Sequence, residues 1–146
     1  MECGRMAQLT VRDFMTSLIL TAEADTPLVN AAKLMAAEDV GSLIVTSSDV
    51  MAGLVTRKEI IAAQLLSPEL YKSLTLEDIM TTPVVTIGPE ADLGQVIALM
   101  NQANRLHIPV IEGNDIIGVV TATDVIRVLA TMKMIADGAP QADEED

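Results

Sequence analysis

The stretch Gly118-Val119-Val120-Thr121-Ala122-Thr123-Asp124-Val125 is typical of a buried strand that passes directly into a helix. The run of valines favours a strand, and Thr121 followed three residues later by Asp124 has the spacing of a helix capping box. Two hydroxyls, a carboxylate and the free backbone N–H groups of a helix start therefore meet at one corner. Because helix N-termini bind phosphate groups, such a corner has the groups needed to hold a sugar and a phosphate.

The same pattern occurs earlier in the chain, at Gly53-Leu54-Val55-Thr56-Arg57-Lys58-Glu59-Ile60, with an offset of 118 − 53 = 65 residues. With this offset, residues 9–61 align with residues 74–126 without a gap. Fourteen of the 53 aligned pairs are identical, and they concentrate at apolar and turn positions, whereas chance identities would be scattered. The chain therefore contains an internal duplication.

Each copy predicts the same order of elements, β-α-β-β-α, preceded by a short capped helical turn that ends near Met15 or Met80. The predicted strands are Leu18–Thr21, Ser42–Thr46 and Met51–Val55 in the first copy, and Val84–Ile87, Ile108–Ile111 and Ile116–Val120 in the second. Neither copy is long enough to bury much core by itself. The fold class is therefore α/β (α+β), with two repeats expected to pack through their sheets with pseudo-two-fold symmetry.

The predicted boundaries are 9–66 for the first repeat, 67–73 for a linker, 74–134 for the second repeat and 135–146 for an acidic tail. The tail ends in Asp143-Glu144-Glu145-Asp146, and its composition is typical of a solvated, disordered segment.

Composition narrows the functional classes. The net charge of −12, with no tryptophan and one tyrosine, argues against a nucleic-acid partner, which needs clustered basic residues and stacking aromatic rings. The single cysteine excludes an intrachain disulfide. Polar residues interrupt the most apolar region, 116–136, so a membrane span is not expected. A soluble cytoplasmic protein is the expectation.

Taken together, these features resemble the cystathionine β-synthase (CBS) domain in its tandem pair, the Bateman module, over residues 9–134. The matching motifs are Val11-x-Asp13-x-Met15-Thr16, Leu76-x-Asp78-x-Met80-Thr81, His107-Ile108-Pro109-Val110-Ile111 and the two Gly-x-x-Thr-x-x-acid corners. The resemblance implies a stand-alone CBS-domain protein that binds adenosine-containing ligands in clefts between its repeats and signals to a partner protein.

The resemblance also implies roles for residues of a main cleft. Asp124 would accept hydrogen bonds from the two ribose hydroxyls, while Thr121, Thr123 and His107 would lie near phosphate. The full set implied for this cleft is Leu18, Ile19, Leu20, Val40, Gly41, His107, Thr121, Ala122, Thr123 and Asp124.

The second cleft departs from the family pattern because Glu59 replaces the aspartate. Either the ribose lies differently there or the cleft binds poorly, although Arg57, Lys58 and Arg105 add positive charge that would favour a polyphosphate. The set implied for this cleft is Pro83, Val84, Val85, Arg105, Leu106, Thr56, Arg57, Lys58 and Glu59.

The function predicted from the sequence is a regulatory sensor of AMP, ADP or ATP, and not an enzyme, because His107 is the only histidine and no catalytic triad or metal cluster is present. The family's habit implies a homodimer shaped as a four-repeat disc. S-adenosylmethionine, NAD and cyclic dinucleotides remain alternative ligands. A structural or interaction module with vestigial clefts is the alternative function, since the two corners are also ordinary helix caps and His107 could be a structural residue.

Overall fold

The computed structural model describes residues 9–138. Its elements in chain order are α1 (Val11–Phe14), β1 (Thr21–Glu23), α2 (Leu28–Glu38), β2 (Ser42–Ser47), β3 (Val50–Thr56), α3 (Arg57–Gln64), α4 (Pro68–Ser73), α5 (Leu76–Ile79), α6 (Leu93–Ala103), β4 (His107–Glu112), β5 (Asp115–Thr121) and α7 (Ala122–Ala136). The mixed α/β class predicted from the sequence is confirmed. Among the described residues, no helix has the length and apolar character needed to cross a bilayer.

The described residues divide into two compact units. The Glu59 unit is Leu18–Val85, and the Asp124 unit combines residues 9–17 with residues 86–138. These units do not follow the sequence repeats. The segment that begins each repeat packs instead with the body of the other repeat, so α1 lies in the Asp124 unit and α5 lies in the Glu59 unit.

The Glu59 unit contains a three-stranded sheet in the order β1-β2-β3, with β1 parallel to β2 and β2 antiparallel to β3. A two-residue turn joins β2 to β3, and both of its residues, Ser48 and Asp49, have positive φ angles, as tight hairpin turns require. Helices α2, α3 and α5 cover one face of this sheet. The buried cluster consists of Leu28, Ala31, Met35, Leu43, Val45, Val55, Ile60, Ala63 and Leu76.

The Asp124 unit repeats this arrangement with one strand fewer. Strands β4 and β5 form an antiparallel pair, and Ile87 adds a single parallel bridge to Val110. Helices α1, α6 and α7 contribute to its core. The buried cluster consists of Val11, Val96, Met100, Ile108, Val110, Val120 and Val125.

Two of the predicted strands are wrong. The first strand of the chain begins at Thr21 rather than Leu18, and segment 84–87 forms only the bridge at Ile87. The sequence contains a physical reason for the second error. In the Glu59 unit, the Ile44 N–H donates to the Leu20 carbonyl at 2.9 Å. The corresponding residue of β4 is Pro109, which has no N–H to donate, so the ladder cannot extend to Val85.

The structure places a helix in the predicted linker and a later end to the last helix than was predicted. Segment 67–73, expected as a linker, contains helix α4, whose start is capped by the Ser67 hydroxyl accepting from the Leu70 N–H at 3.3 Å. Helix α7 continues through Ala136, where the acidic tail was expected to have begun, and Lys133 pairs with Asp137 at 2.6 Å. The remainder of the predicted tail, 139–146, lies outside the described residues.

Candidate functional site

The corner between β5 and α7 forms as the sequence predicts. Thr121 precedes the first helical residue, and its backbone N–H donates to Asp124 Oδ2 at 2.9 Å. The Asp124 N–H donates in return to the Thr121 hydroxyl at 3.2 Å. This reciprocal capping box turns the Asp124 carboxylate back toward the end of the strand, where only 2% of its side chain is exposed.

Thr16 provides a further donor to Asp124 that the sequence-based site did not include. Its backbone pairs with Val119 through two N–H···O bonds of 2.9 Å, which place Thr16 beside β5. Its hydroxyl lies 3.1 Å from Asp124 Oδ1 and 3.2 Å from Oδ2. The start of one sequence repeat therefore supplies a polar group to the corner of the other.

Gly118 makes this approach possible. A β-carbon at position 118 would lie 2.8 Å from the Thr16 carbonyl oxygen and 2.7 Å from Met15 Sδ, closer than real β-carbons approach other atoms. The glycine of the Gly-x-x-Thr pattern is thus needed for space, and not for a left-handed backbone conformation. It allows the Met15-Thr16 segment to lie directly against the strand.

Arg12 anchors helix α1, which precedes Thr16. Its guanidinium donates to Glu90 at 3.1 Å and also to Glu112. The hydrogen bond to Glu112 and, to a smaller extent, the hydrogen bond to Glu90 raise the pKa of Arg12 above its usual value. The position that corresponds to Arg12 in the second repeat is Glu77, so this ion cluster is particular to the Asp124 unit.

Arg127 lies one helical turn beyond Asp124 and forms an ion pair with its carboxylate. Its Nη1 lies 3.2 Å from Asp124 Oδ1, and its side chain is 68% exposed. Both carboxylate oxygens therefore accept hydrogen bonds: Oδ1 from Arg127 and Thr16, and Oδ2 from the Thr121 N–H and Thr16. Bonds of this kind to an ionised carboxylate are stronger than neutral ones.

A cavity of about 400 Å³ lies beside this carboxylate, within the Asp124 unit, and its volume falls in the range of small-molecule sites. Apolar side chains of α1 and α7 form part of its wall, and charged groups form the rest. The lining residues are Leu9, Asp13, Phe14, Met15, Asp124, Arg127, Val128 and Thr131.

The corner between β3 and α3 has the same backbone and a simpler polar arrangement. Glu59 Oε1 accepts from the Thr56 N–H at 2.6 Å and from the Thr56 hydroxyl at 2.8 Å. Thr81 pairs with Leu54 as Thr16 pairs with Val119, yet within residues 9–138 its hydroxyl makes no hydrogen bond to Glu59. Ala62 occupies the position of Arg127. The second oxygen of Glu59 consequently has no partner in the described part of the chain.

The predicted main-cleft residues are divided between the two units. In the Asp124 unit, His107 is half-buried and opposes Thr121 in the β4–β5 register, and Ala122 and Thr123 form the first turn of α7. The Glu59 unit contains the remaining five, Leu18, Ile19, Leu20, Val40 and Gly41.

The predicted second-cleft residues are divided in the same way. Thr56–Glu59 and Pro83–Val85 lie in the Glu59 unit, where Arg57 pairs with Asp39 at 3.3 Å. Arg105 and Leu106 lie in the Asp124 unit.

Two backbone bonds connect residues that were assigned to different clefts. The Ala122 N–H donates to the Leu106 carbonyl at 3.0 Å, and the Arg57 N–H donates to the Gly41 carbonyl at 3.2 Å. In each unit, the loop before a hairpin is therefore attached to the helix that follows it.

Comparison with known families identifies the repeats. The model of the CBS domain matches residues 11–66 and again residues 76–131, so the chain belongs to the CBS domain family. Over 133 residues it is 26% identical to the CBS domain-containing protein YhcV of Bacillus subtilis (strain 168), and the match covers 91% of both proteins. The resemblance to a tandem CBS pair that was inferred from the sequence is confirmed.

Solved structures of CBS proteins have the same fold. The CBS domain pair of MJ0100, in complex with 5′-methylthioadenosine and S-adenosyl-L-methionine, superposes with a TM-score of 0.74 at 24% identity, covering 84% of this chain and 97% of that one. CBSX2 in complex with AMP superposes with a TM-score of 0.70 at 22% identity, covering 86% and 98%.

Proposed function

We propose that this CBS pair is a regulatory module that binds an adenosine-containing ligand of the AMP, ADP or ATP class, with Asp124 as the ribose acceptor, and transmits its occupancy to a partner protein. The observation that carries the proposal is the buried carboxylate at a helix start, between two hydroxyls. The chain has a single cysteine and so lacks the disulfide framework common in small secreted domains, which supports a cytoplasmic setting.

The chemistry of the α7 start suits a nucleotide. A carboxylate accepts two hydrogen bonds from the cis-diol of ribose, and the positive end of the helix dipole favours phosphate. The Ala122 N–H already donates to the Leu106 carbonyl, and the Asp124 N–H already donates to the Thr121 hydroxyl. The Thr123 N–H is the one in this turn with no hydrogen bond within residues 9–138, so it is available to a phosphate oxygen.

The solved complexes support adenosine as the recognised group. AMP, 5′-methylthioadenosine and S-adenosyl-L-methionine, the ligands of CBSX2 and MJ0100, all contain adenosine. A site that recognises ribose through Asp124 would discriminate against 2′-deoxyribose, because the sugar would then offer the buried carboxylate one hydroxyl donor instead of two.

Calorimetric titration with AMP, 2′-deoxy-AMP, ADP, ATP and S-adenosylmethionine tests the proposal. We expect AMP to bind, and 2′-deoxy-AMP to bind about tenfold more weakly, from the loss of one hydrogen bond to a charged group. The variant Asp124→Asn should lose binding. Asp78→Asn is a matched control, because Asp78 caps α5 in the same Thr-x-x-Asp arrangement, with a bond of 2.8 Å from the Thr75 N–H.

Binding of none of these ligands, or equal binding to Asp124→Asn and Asp78→Asn, would contradict the proposed site. Equal affinity for AMP and 2′-deoxy-AMP would contradict the ribose role alone.

A homodimerisation module is the second candidate function, and exposed apolar side chains favour it. On α7, Ile126, Leu129 and Met134 are 63%, 44% and 60% exposed. Ile61 on α3 and Leu65, directly after its end, are 59% and 84% exposed. Apolar groups this prominent on a helix indicate a contact surface. Light scattering should give the mass of a dimer for the unmodified chain and of a monomer for Ile126→Glu. A monomeric unmodified chain would contradict this candidate.

A further inference from the structure

We propose that Arg127 competes with the ribose for Asp124, so that this arginine sets the affinity of the site for nucleosides. The inference rests on the proposed function, because it concerns the same carboxylate. It adds that the free protein holds its ribose acceptor in a closed state, through an ion pair within one helix.

The closed state follows from the hydrogen bonds of Asp124. Its two oxygens already accept from the Thr121 N–H, the Thr16 hydroxyl and Arg127, and only 2% of the side chain is exposed. A diol needs two acceptor positions on the same carboxylate. Ribose therefore binds only after at least one existing donor has left.

Arg127 is the donor that can leave most easily. The Thr121 N–H is part of the backbone at the helix start, and Thr16 is fixed by its two bonds to Val119, so its hydroxyl can rotate but cannot move away. Arg127 has a long side chain that is 68% exposed, and water solvates a guanidinium well at such a position. The cost of opening the site is therefore mainly the cost of separating Arg127 from Asp124.

The surroundings offer the released guanidinium a second partner. Asp13 lines the same cavity as Asp124 and Arg127. Its Oδ2 accepts from the Thr10 N–H at 2.9 Å, which leaves Oδ1 without a partner in the described part of the chain. Arg127 can thus exchange one carboxylate for another while remaining in the cavity wall.

The test uses adenosine, whose neutrality removes any direct effect of protein charge on a phosphate. Calorimetric titration should show that Arg127→Ala binds adenosine about two- to fivefold more tightly than the unmodified chain, the range expected for an exposed ion pair. Added salt should tighten adenosine binding to the unmodified chain by weakening the pair, and should leave Arg127→Ala unaffected. Lys133→Ala is the control, since Lys133 lies on the same helix, pairs with Asp137 and not with Asp124, and its removal changes the net charge equally.

Adenosine binding that is unchanged or weaker in Arg127→Ala would overturn the inference and would leave the proposed ribose site standing. Equal tightening by Lys133→Ala would also overturn it, since net charge would then explain the effect. An unmodified chain that binds neither adenosine nor AMP would overturn the inference together with the proposed function.

Discussion

The two strand-to-helix corners share a backbone and differ in how their carboxylates are occupied. Asp124 accepts hydrogen bonds from Thr121, Thr16 and Arg127 and is buried, whereas Glu59 accepts from Thr56 alone among the described residues and is half-buried. Duplication preserved the Gly-x-x-Thr-x-x-acid geometry. A few different side chains give the two carboxylates different hydrogen-bond partners, so a shared motif does not imply a shared polar environment.

The cavities beside the two corners extend the comparison. The cavity in the Glu59 unit has a volume of about 290 Å³, against about 400 Å³ in the Asp124 unit. Its lining residues are Glu59, Ala62, Ala63, Leu66, Leu74 and Ile79, and each is the counterpart, at the 65-residue offset of the repeats, of a residue that lines the other cavity. Replacement of Arg127 and Thr131 by Ala62 and Leu66 makes the smaller cavity almost wholly apolar. The duplicated shape therefore has different chemistry in its two copies.

The largest expected effect comes from the two glycines. Gly118→Ala places a β-carbon against the Thr16 backbone, which cannot yield without breaking the bridge to Val119, so we expect a loss of about 2–3 kcal/mol in unfolding free energy. Gly53→Ala places a β-carbon 2.7 Å from Met80 Cγ and 2.9 Å from Met80 Cβ. The end of the methionine can rotate away but its β-carbon moves only with the backbone, so we expect a smaller loss of about 1–2 kcal/mol. Urea unfolding of both variants measures the difference. Equal losses would show that the Met15-Thr16 and Met80-Thr81 segments are equally rigid where they lie against their strands.

The two acidic residues should differ next. Asp124→Asn removes the charge from a buried group that accepts several bonds, and we expect a loss of about 1–2 kcal/mol in unfolding free energy. Glu59→Gln keeps an acceptor for the Thr56 N–H on a half-buried side chain, so its loss should stay below about 0.5 kcal/mol. The same urea titrations measure both. A Glu59→Gln loss as large as that of Asp124→Asn would show that the two carboxylates contribute equally to stability, in contradiction to their different hydrogen bonding.

Most of the fold was predictable because its signals are local. The duplication, the hairpins and the helix starts at Thr56 and Thr121 follow from apolar periodicity and capping residues. The strand expected at 84–87 failed because a strand also needs a partner with free donors, and Pro109 supplies none. The exchange of the starting segments between units involves contacts between residues far apart in sequence, so the repeat boundaries gave no sign of it.

The candidate site was predictable to a smaller extent. Asp124 and Thr121 were identified by their spacing, and the Asp124-x-x-Arg127 spacing was a local signal for the ion pair that was overlooked. Thr16 had no such signal, because its contact with Asp124 joins residues 108 positions apart. The ribose and phosphate roles of the predicted cleft residues stay predictions.

Thr16 and Thr81, whose backbones pair with Val119 and Leu54, provide a smaller test. Thr16→Val preserves shape and removes the hydroxyl that donates to Asp124, and we expect a loss of about 1 kcal/mol in unfolding free energy. Thr81→Val should change stability by less than about 0.5 kcal/mol, since the described residues include no hydrogen bond from the Thr81 hydroxyl. Thermal unfolding at matched protein concentration compares them. If Thr81→Val and Thr16→Val cause equal losses, Glu59 must accept a hydrogen bond from the Thr81 hydroxyl in solution.

The smallest expected effect comes from installing the missing arginine. Ala62 is exposed on α3, three residues after Glu59, so Ala62→Arg recreates the spacing of Asp124 and Arg127. A pair at this spacing stabilises a helix by about 0.2–0.5 kcal/mol, and the free second oxygen of Glu59 can accept it. The double variant Ala62→Arg/Glu59→Gln should lose this gain, and a double-mutant cycle isolates it from the general effect of an added charge. Stabilisation that survives in the double variant would show that the introduced arginine does not act through Glu59. An arginine at position 62 would then not be enough to reproduce the ion pair of Asp124 and Arg127.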